Sequence, residues 1–175
     1  MVAIDATTLL LFLRPGTPGP RDAANKPVAR VHERIDLLKA RLEREDSRIV
    51  IPTPALSEVL VRAGSVKNSQ EIIDVLIRTA VFIIHPFDQL AAIEVAEMAR
   101  KEPKPRNRAD TYAKLKYDRQ IVAIAKVCGA SEILSEDDGV ERAAALVNIP
   151  VVRVRDLPLP PVKPQLDAFE RRGQK

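Results

Sequence analysis

Apolar residues along the chain collect in short segments separated by stretches of helical spacing. Val2-Ala3-Ile4 opens the chain as such a segment, and Arg48–Ile51, Val81–Ile84, Glu132–Leu134 and Val151–Val154 repeat it. Short apolar runs bounded by polar or turn residues predict buried strands. Between them Thr7 to Leu13 begins a helix, and Val28–Glu45 sets Val31, Ile35, Leu38 and Leu42 at intervals of three and four, the stripe of an amphipathic helix. Thr53-Pro54 reads as N-cap and first residue of a helix that runs to Ala63 and stops at Gly64. Asn68 opens another helix with Ile72, Ile73, Leu76 and Ile77 facing inward. Further helices are expected over Asp88–Arg100, around Tyr117–Cys128 and over Gly139–Val147. Proline and glycine between Arg14 and Lys26 mark an exposed loop. Strands alternating with helices predict an α/β fold, a parallel sheet of about five strands with helices on both faces.

Size and composition narrow this to one domain, residues 1–157, followed by a tail over residues 158–175 rich in proline and charge. No apolar run approaches the roughly 20 residues of a membrane span, and Asp5 interrupts the amino-terminal one, so the expected compartment is the cytoplasm. A single cysteine, Cys128, rules out an internal disulfide and a cysteine zinc site, and His32 and His85 are too far apart to suggest a histidine site. Lys and Arg number 28 against 24 Asp and Glu, a net charge of +4 that is compatible with a polyanionic partner without demanding one. Eight bases (Arg100, Lys101, Lys104, Arg106, Arg108, Lys114, Lys116 and Arg119) fall between positions 100 and 119, as either a solvated loop or a phosphate-contacting patch.

In a parallel sheet all the carboxyl ends lie on one edge, where open α/β sheets place their sites. Asp5 follows the first strand there, and the fourth runs into Ser135-Glu136-Asp137-Asp138. Helix capping competes for Asp5 and for one of Asp137 and Asp138. Asp118 stands three residues before Ile121 and seven before Ala125, on the helix face that packs against the sheet, whereas a cap has no need of an apolar stripe. Glu58 projects away from the buried face of its own helix, so it enters the set only because that helix also starts at the same edge. Carboxylates held together raise one another's pKa, and a hard divalent cation is the usual remedy. Oxygen ligands select Mg²⁺ or Mn²⁺, which activate water and neutralise charge on a phosphodiester.

Four pieces of the chain, in this order, resemble the PIN-domain nucleases, and more narrowly the VapC-like toxins of toxin–antitoxin pairs. They are Val2-Ala3-Ile4-Asp5-Ala6-Thr7, Pro54-Ala55-Leu56-Ser57-Glu58-Val59, Asp118-Arg119-Gln120-Ile121-Val122-Ala123-Ile124-Ala125 and Ile133-Leu134-Ser135-Glu136-Asp137. The resemblance implies a Rossmann-like sheet, an Mg²⁺ or Mn²⁺ site and cleavage of RNA, with Asp5, Glu58, Asp118 and Asp137 as the acidic ligands. Ser135 matches a supporting hydroxyl, and Thr7, which stands where the family often has Asn, is expected with Ser135 to orient the carboxylates. Asp138 stays open as the alternative to Asp137. A toxin would also bind a cognate antitoxin, and a homodimer is a further expectation. Three other readings are a PIN nuclease outside toxin–antitoxin systems, a catalytically silent binding module of the same fold and a haloacid-dehalogenase-like phosphatase. The phosphatase would need a second Asp where Thr7 stands.

Overall fold

β1 (Val2–Ile4) lies at the centre of a five-stranded sheet that is parallel throughout. The computed structural model describes residues 1–102 and 109–161. The chain runs from β1 through α1 (Ala6–Leu13) and α2 (Val31–Arg44) to β2 (Ile49–Pro52), α3 (Thr53–Ala63), α4 (Val66–Arg78) and β3 (Phe82–His85). It continues with α5 (Gln89–Lys101), α6 (Ala109–Val127), β4 (Glu132–Leu134), α7 (Asp138–Ala145) and β5 (Val151–Val152). The α/β class and the parallel five-stranded sheet agree with the sequence pattern.

Alternation along the strands divides the core between the two faces of the sheet. Val2, Ile4, Ile49, Ile51 and Leu134 pack with residues of α1, α2, α3 and α4, while Ala3, Val50 and Ile133 pack with residues of α5, α6 and α7. Most of these side chains are wholly buried. Burying one aliphatic side chain of this size is worth about 1.5–3 kcal/mol, so the three central strands are the anchor of both layers. After β1 the chain winds outward through β2 to β3, then returns to the other side of β1 for β4 and β5. The direction of winding therefore reverses between β1 and β4, the place where such sheets open a crevice at their carboxyl edge.

Several element boundaries differ from those expected. β3 is an edge strand and is half-exposed, since only β2 pairs with it. Pro52, not Thr53, is the N-cap of α3, and the Thr53 hydroxyl instead accepts the Phe87 N–H (3.1 Å). Ser65 caps α4 by accepting the Asn68 N–H (3.2 Å), so that helix starts before Asn68. Ile77 lies about 100° round α4 from Leu76 and is 71 % exposed, so it is not a core residue. Arg30 adopts a left-handed conformation (φ 55°), which delays α2 to Val31. α6 begins at Ala109, well before Tyr117, because Ala, Leu and Lys between positions 109 and 116 favour helix once Pro103 and Pro105 are passed.

β5 ends at Val152, and a single 3₁₀ turn over Val154–Asp156 follows. Val154 and Leu157 are buried, and the carbonyls of Leu157 and Pro160 accept hydrogen bonds from Arg34 and Arg30. The start of the carboxyl-terminal extension is therefore docked on α2. Residues 162–175 lie outside the described residues, as do Lys104, Arg106 and Arg108. No helix among the described residues is long and apolar enough to cross a membrane.

Candidate active site

Asp5 ends β1 and also caps α1. Its Oδ1 accepts the Thr8 N–H (2.7 Å) and its Oδ2 accepts the Ser135 hydroxyl (2.6 Å). Thr8 donates its own hydroxyl to the Leu134 carbonyl (3.2 Å), so the ends of β1 and β4 are tied together across the switch point. Capping and a site role are thus compatible in Asp5, because one carboxylate oxygen serves the helix and the other faces β4. Burial pushes the Asp5 carboxyl up, against the Ser135 and Thr8 hydrogen bonds, and the nearby Asp137 charge adds to the rise.

Ser135 is the bridge to the next acid, since its oxygen also accepts the Asp137 N–H (3.0 Å). Asp137 caps α7 by accepting the Gly139 N–H on Oδ1 (2.7 Å), and its Oδ2 pairs with Lys114 Nζ (2.9 Å). Burial acts to raise the Asp137 carboxyl, but Lys114 and the Gly139 N–H outweigh it and hold it below its ordinary value. Asp138 is exposed and pairs with Arg153 (2.7 Å), and Glu136 accepts the Val154 N–H (2.7 Å). Of the three consecutive acids, Asp137 is the one that lines the cavity described below.

Asp118 stands in the middle of α6, not at its head, so a capping role is ruled out. Its carboxylate is buried and has no hydrogen-bond or salt-bridge partner among the described residues. Burial first, and the Asp137 charge second, push its pKa up to about 6 despite the opposing Lys114. Space for it comes from Gly139. A Cβ at that position would lie well inside 3.0 Å of Asp118 Oδ2 and 3.0 Å from Asp137 Oδ1.

These side chains surround one cavity of about 520 Å³ at the carboxyl edge of the sheet. Asp5, Ala6 and Thr7 form its floor, and Ser57, Glu58, Val61 and Arg62 of α3 form one wall. Lys114, Tyr117, Asp118 and Ile121 of α6 form the other, with Asp137 and Val140 closing the end. Glu58 is thus at the same cavity as the three aspartates because α3 and α6 pack together and line it from both sides. It is exposed and pairs with Arg62 at i+4, at the mouth. Thr7 is at the cavity but makes no hydrogen bond to a carboxylate among the described residues. The residue that holds Asp5 is Thr8, at the third position beyond the cap, where a capping carboxylate finds its N–H.

Among the described residues, Arg100, Lys101, Lys114 and Arg119 of the basic stretch do not share one surface. Arg119 is only 6 % exposed and pairs with Glu102 (2.5 Å), which takes it out of reach of a phosphate. Lys101 donates to the Leu146 carbonyl (3.2 Å) and Arg100 pairs with Glu97, whereas Lys114 turns into the cavity. Lys114, Thr8 and Gly139 are the site residues that a search for acids overlooks. The signals for two of them are spacing, since Lys114 precedes Asp118 by one helical turn and Thr8 follows Asp5 by three residues.

All donors facing the cavity from the three aspartates and Glu58 are carboxylate oxygens, the set that suits Mg²⁺ or Mn²⁺. As placed, no three His, Cys, Asp or Glu side chains among the described residues come close enough to share one ion. A cation already stands at Asp137 in the form of the Lys114 ammonium, while burial and the Asp137 charge raise Asp118 against the pull of Lys114 and Arg142. The chemistry of the set therefore fits a divalent ion. Ser135→Ala removes the hydroxyl shared by Asp5 and Asp137. We expect it to weaken Mn²⁺ binding by about 10–100-fold in calorimetry, the usual effect of losing a group that orients a metal-binding carboxylate. Unchanged affinity would show that Ser135 only supports the strand ends.

No protein-family model and no curated protein matches the chain. Solved structures do. FitAcB from Neisseria gonorrhoeae superposes with a TM-score of 0.52 at 19 % identity, over 88 % of this chain and 98 % of that one. DNA-bound VapBC from Salmonella typhimurium gives 0.52 at 17 % identity, over 87 % and 97 %. VapBC2 from Rickettsia felis, bound to a DNA fragment from its promoter, gives 0.50 at 13 %, over 87 % and 98 %. At these identities the likeness is one of architecture, and it extends over nearly the full length of those chains. The chain shares the fold of these structures, as the resemblance of its four sequence motifs to the VapC-like PIN domains implies.

Proposed function

We propose that the protein is a ribonuclease that hydrolyses RNA phosphodiesters with Mg²⁺ or Mn²⁺ held by Asp5, Asp118 and Asp137, with Glu58 contributing from the mouth of the cavity. The observation that carries this reading is the gathering of three aspartates around one cavity at the β1/β4 switch point, one of them pushed up to about 6 by burial and by the Asp137 charge. When bound, the metal supplies a Lewis acid that lowers the pKa of a water and offsets negative charge on the phosphate. Asp5 is the fixed point of the site, because both of its oxygens are held by groups at the ends of β1 and β4. Ser135 sets the separation of Asp5 and Asp137 by bonding to both. Ile121 and Val140 exclude water from the inner end, which strengthens every charge interaction there.

The test is cleavage of a labelled RNA by the purified chain. We expect cleavage with Mn²⁺ or Mg²⁺ and none after chelation. RNA that stays intact in Mn²⁺ while still binding the protein would instead identify a silent binding module. We propose in addition a cognate antitoxin that covers the acidic cavity, and a homodimer of the chain; the likeness to the VapBC structures supports the antitoxin. A small DNA-binding protein encoded in the adjacent reading frame, forming a complex that no longer cleaves RNA, is the expected result.

A further inference from the structure

The segment between β4 and α7, which carries Asp137, is held from two sides. Toward the cavity, the Ser135 oxygen accepts the Asp137 N–H (3.0 Å). On the far side stands Arg153, which follows β5 directly and lies outside the cavity. Its Nη1 donates to the Glu136 carbonyl (3.0 Å). These two bonds grip opposite ends of one peptide group, the unit that joins Glu136 to Asp137. Because that unit is planar, fixing its C=O and its N–H fixes the direction in which the chain enters Asp137. The next residue, Val154, donates its N–H to the Glu136 carboxylate (2.7 Å), so the two segments clasp each other. Nη2 of Arg153 pairs with Asp138 (2.7 Å) and Glu141 (2.5 Å), which stand one turn apart at the start of α7.

We propose that Arg153 is a positioning residue of the acidic site: it orients Asp137 through the peptide group before it and holds Asp138 outside the cavity. The proposal rests on the ribonuclease reading and assigns the device that selects one of two neighbouring acids for it. Stability alone gives little reason for the arrangement. The Asp138 and Glu141 side chains are 76 % and 54 % exposed, and ion pairs to acids so exposed contribute little to folding. Orientation gives a better one. The Arg153 side chain is only 17 % exposed, and its planar fork meets a carbonyl and two carboxylates at once, which a lysine ammonium does not reproduce. Without it the peptide group keeps its Ser135 bond but is free at its carbonyl end, and the Asp138 carboxylate is released beside Asp137. One fixed acid becomes two loosely placed ones.

The experiment titrates Mn²⁺ into the full chain by calorimetry, with metal-free melting curves and RNA cleavage measured alongside. Arg153→Gln should weaken Mn²⁺ binding by about 10–100-fold, the usual effect of removing a partner behind a ligand. Its metal-free melting temperature should stay within a few degrees of the parent's, since the ion pairs lost are largely exposed. Cleavage should need more Mn²⁺ and recover most of the parental kcat once the ion saturates. Arg153→Lys keeps the charge but not the fork, so its affinity should fall between the two, and it carries the comparison if Arg153→Gln does not fold. Ser135→Ala frees the other end of the same peptide group, so the losses from the two changes should not add. Parental Mn²⁺ affinity in Arg153→Gln, or in Arg153→Lys where only that variant folds, would overturn the positioning role and leave the nuclease reading standing. A parent that neither binds Mn²⁺ nor cleaves RNA would overturn both.

Discussion

Asp118→Asn should abolish RNA cleavage yet, without metal at pH 7–8, yield a protein that melts at a higher temperature than the parent. Both effects come from the placement of one carboxylate. It sits mid-helix on the buried face of α6, facing Gly139, with no partner among the described residues and the Asp137 charge nearby. Removing it takes away one of three proposed ligands, so the loss should exceed the roughly 100-fold that follows from disturbing a group behind a ligand. The sign of the stability effect follows from linkage. In the folded protein the pKa is raised to about 6 from an ordinary 3.8, so between those values the folded state holds a proton that the unfolded chain has released. Stability contributed by this group falls as pH rises through that window, and the penalty is fully present above about pH 6. Asn carries no such penalty.

The gain from Asp118→Asn should therefore vanish near pH 4, where the parent's carboxyl is protonated. Asp137 runs the other way: its lowered pKa contributes stability that is present above about 3.8 and lost on acidification, in parent and variant alike. Melting curves at pH 4 and pH 8, with and without Mn²⁺, separate the terms. Mn²⁺ should raise the melting temperature of the parent and leave the variant unmoved. Parental cleavage rates in Asp118→Asn would sink the assignment of this residue.

Which of these features could be read before the fold was known depends on whether they are local or assembled. Val2-Ala3-Ile4-Asp5 and Ile133-Leu134-Ser135 announce themselves, because a short apolar run ending in a polar side chain is a pattern within one strand. The stripe of Asp118 with Ile121 and Ala125 was legible for the same reason, although the extension of its helix back from Tyr117 to Ala109 was not. Glu58 shows the opposite case. Its own helix turns it toward solvent, and only α6 packing against α3 makes that solvent a cavity wall. Lys114 and Arg119 show why a count of basic residues misleads. Five positions apart on one helix, the first points into the cavity and the second into a buried ion pair with Glu102. Edge or centre is likewise a property of the whole sheet, so nothing in Phe82-Ile83-Ile84 says that β3 has a neighbour on one side only.

Gly139→Ala should leave the fold intact and destroy the site. In a helix, Ala is favoured over Gly by about 0.5–1 kcal/mol, and position 139 lies in the first turn of α7 with no left-handed backbone to relieve. Against that gain stands the new Cβ, well inside 3.0 Å of Asp118 Oδ2 and 3.0 Å from Asp137 Oδ1. The first of these atoms is the far end of a side chain, so Asp118 can swing aside without moving backbone, and the cost to stability stays small. The cost to the site does not, because the carboxylate that moves is one of the proposed ligands. The melting temperature without metal should stay within a few degrees of the parent's. Stabilisation by Mn²⁺ should disappear, and RNA cleavage should fall as far as in Asp118→Asn. Since both changes act through the same carboxylate, the double variant should be no worse than Asp118→Asn alone, a non-additivity that a general loss of stability would not produce. Undiminished cleavage and full Mn²⁺ stabilisation in Gly139→Ala would mean that Asp118 does its work from a position this glycine does not control.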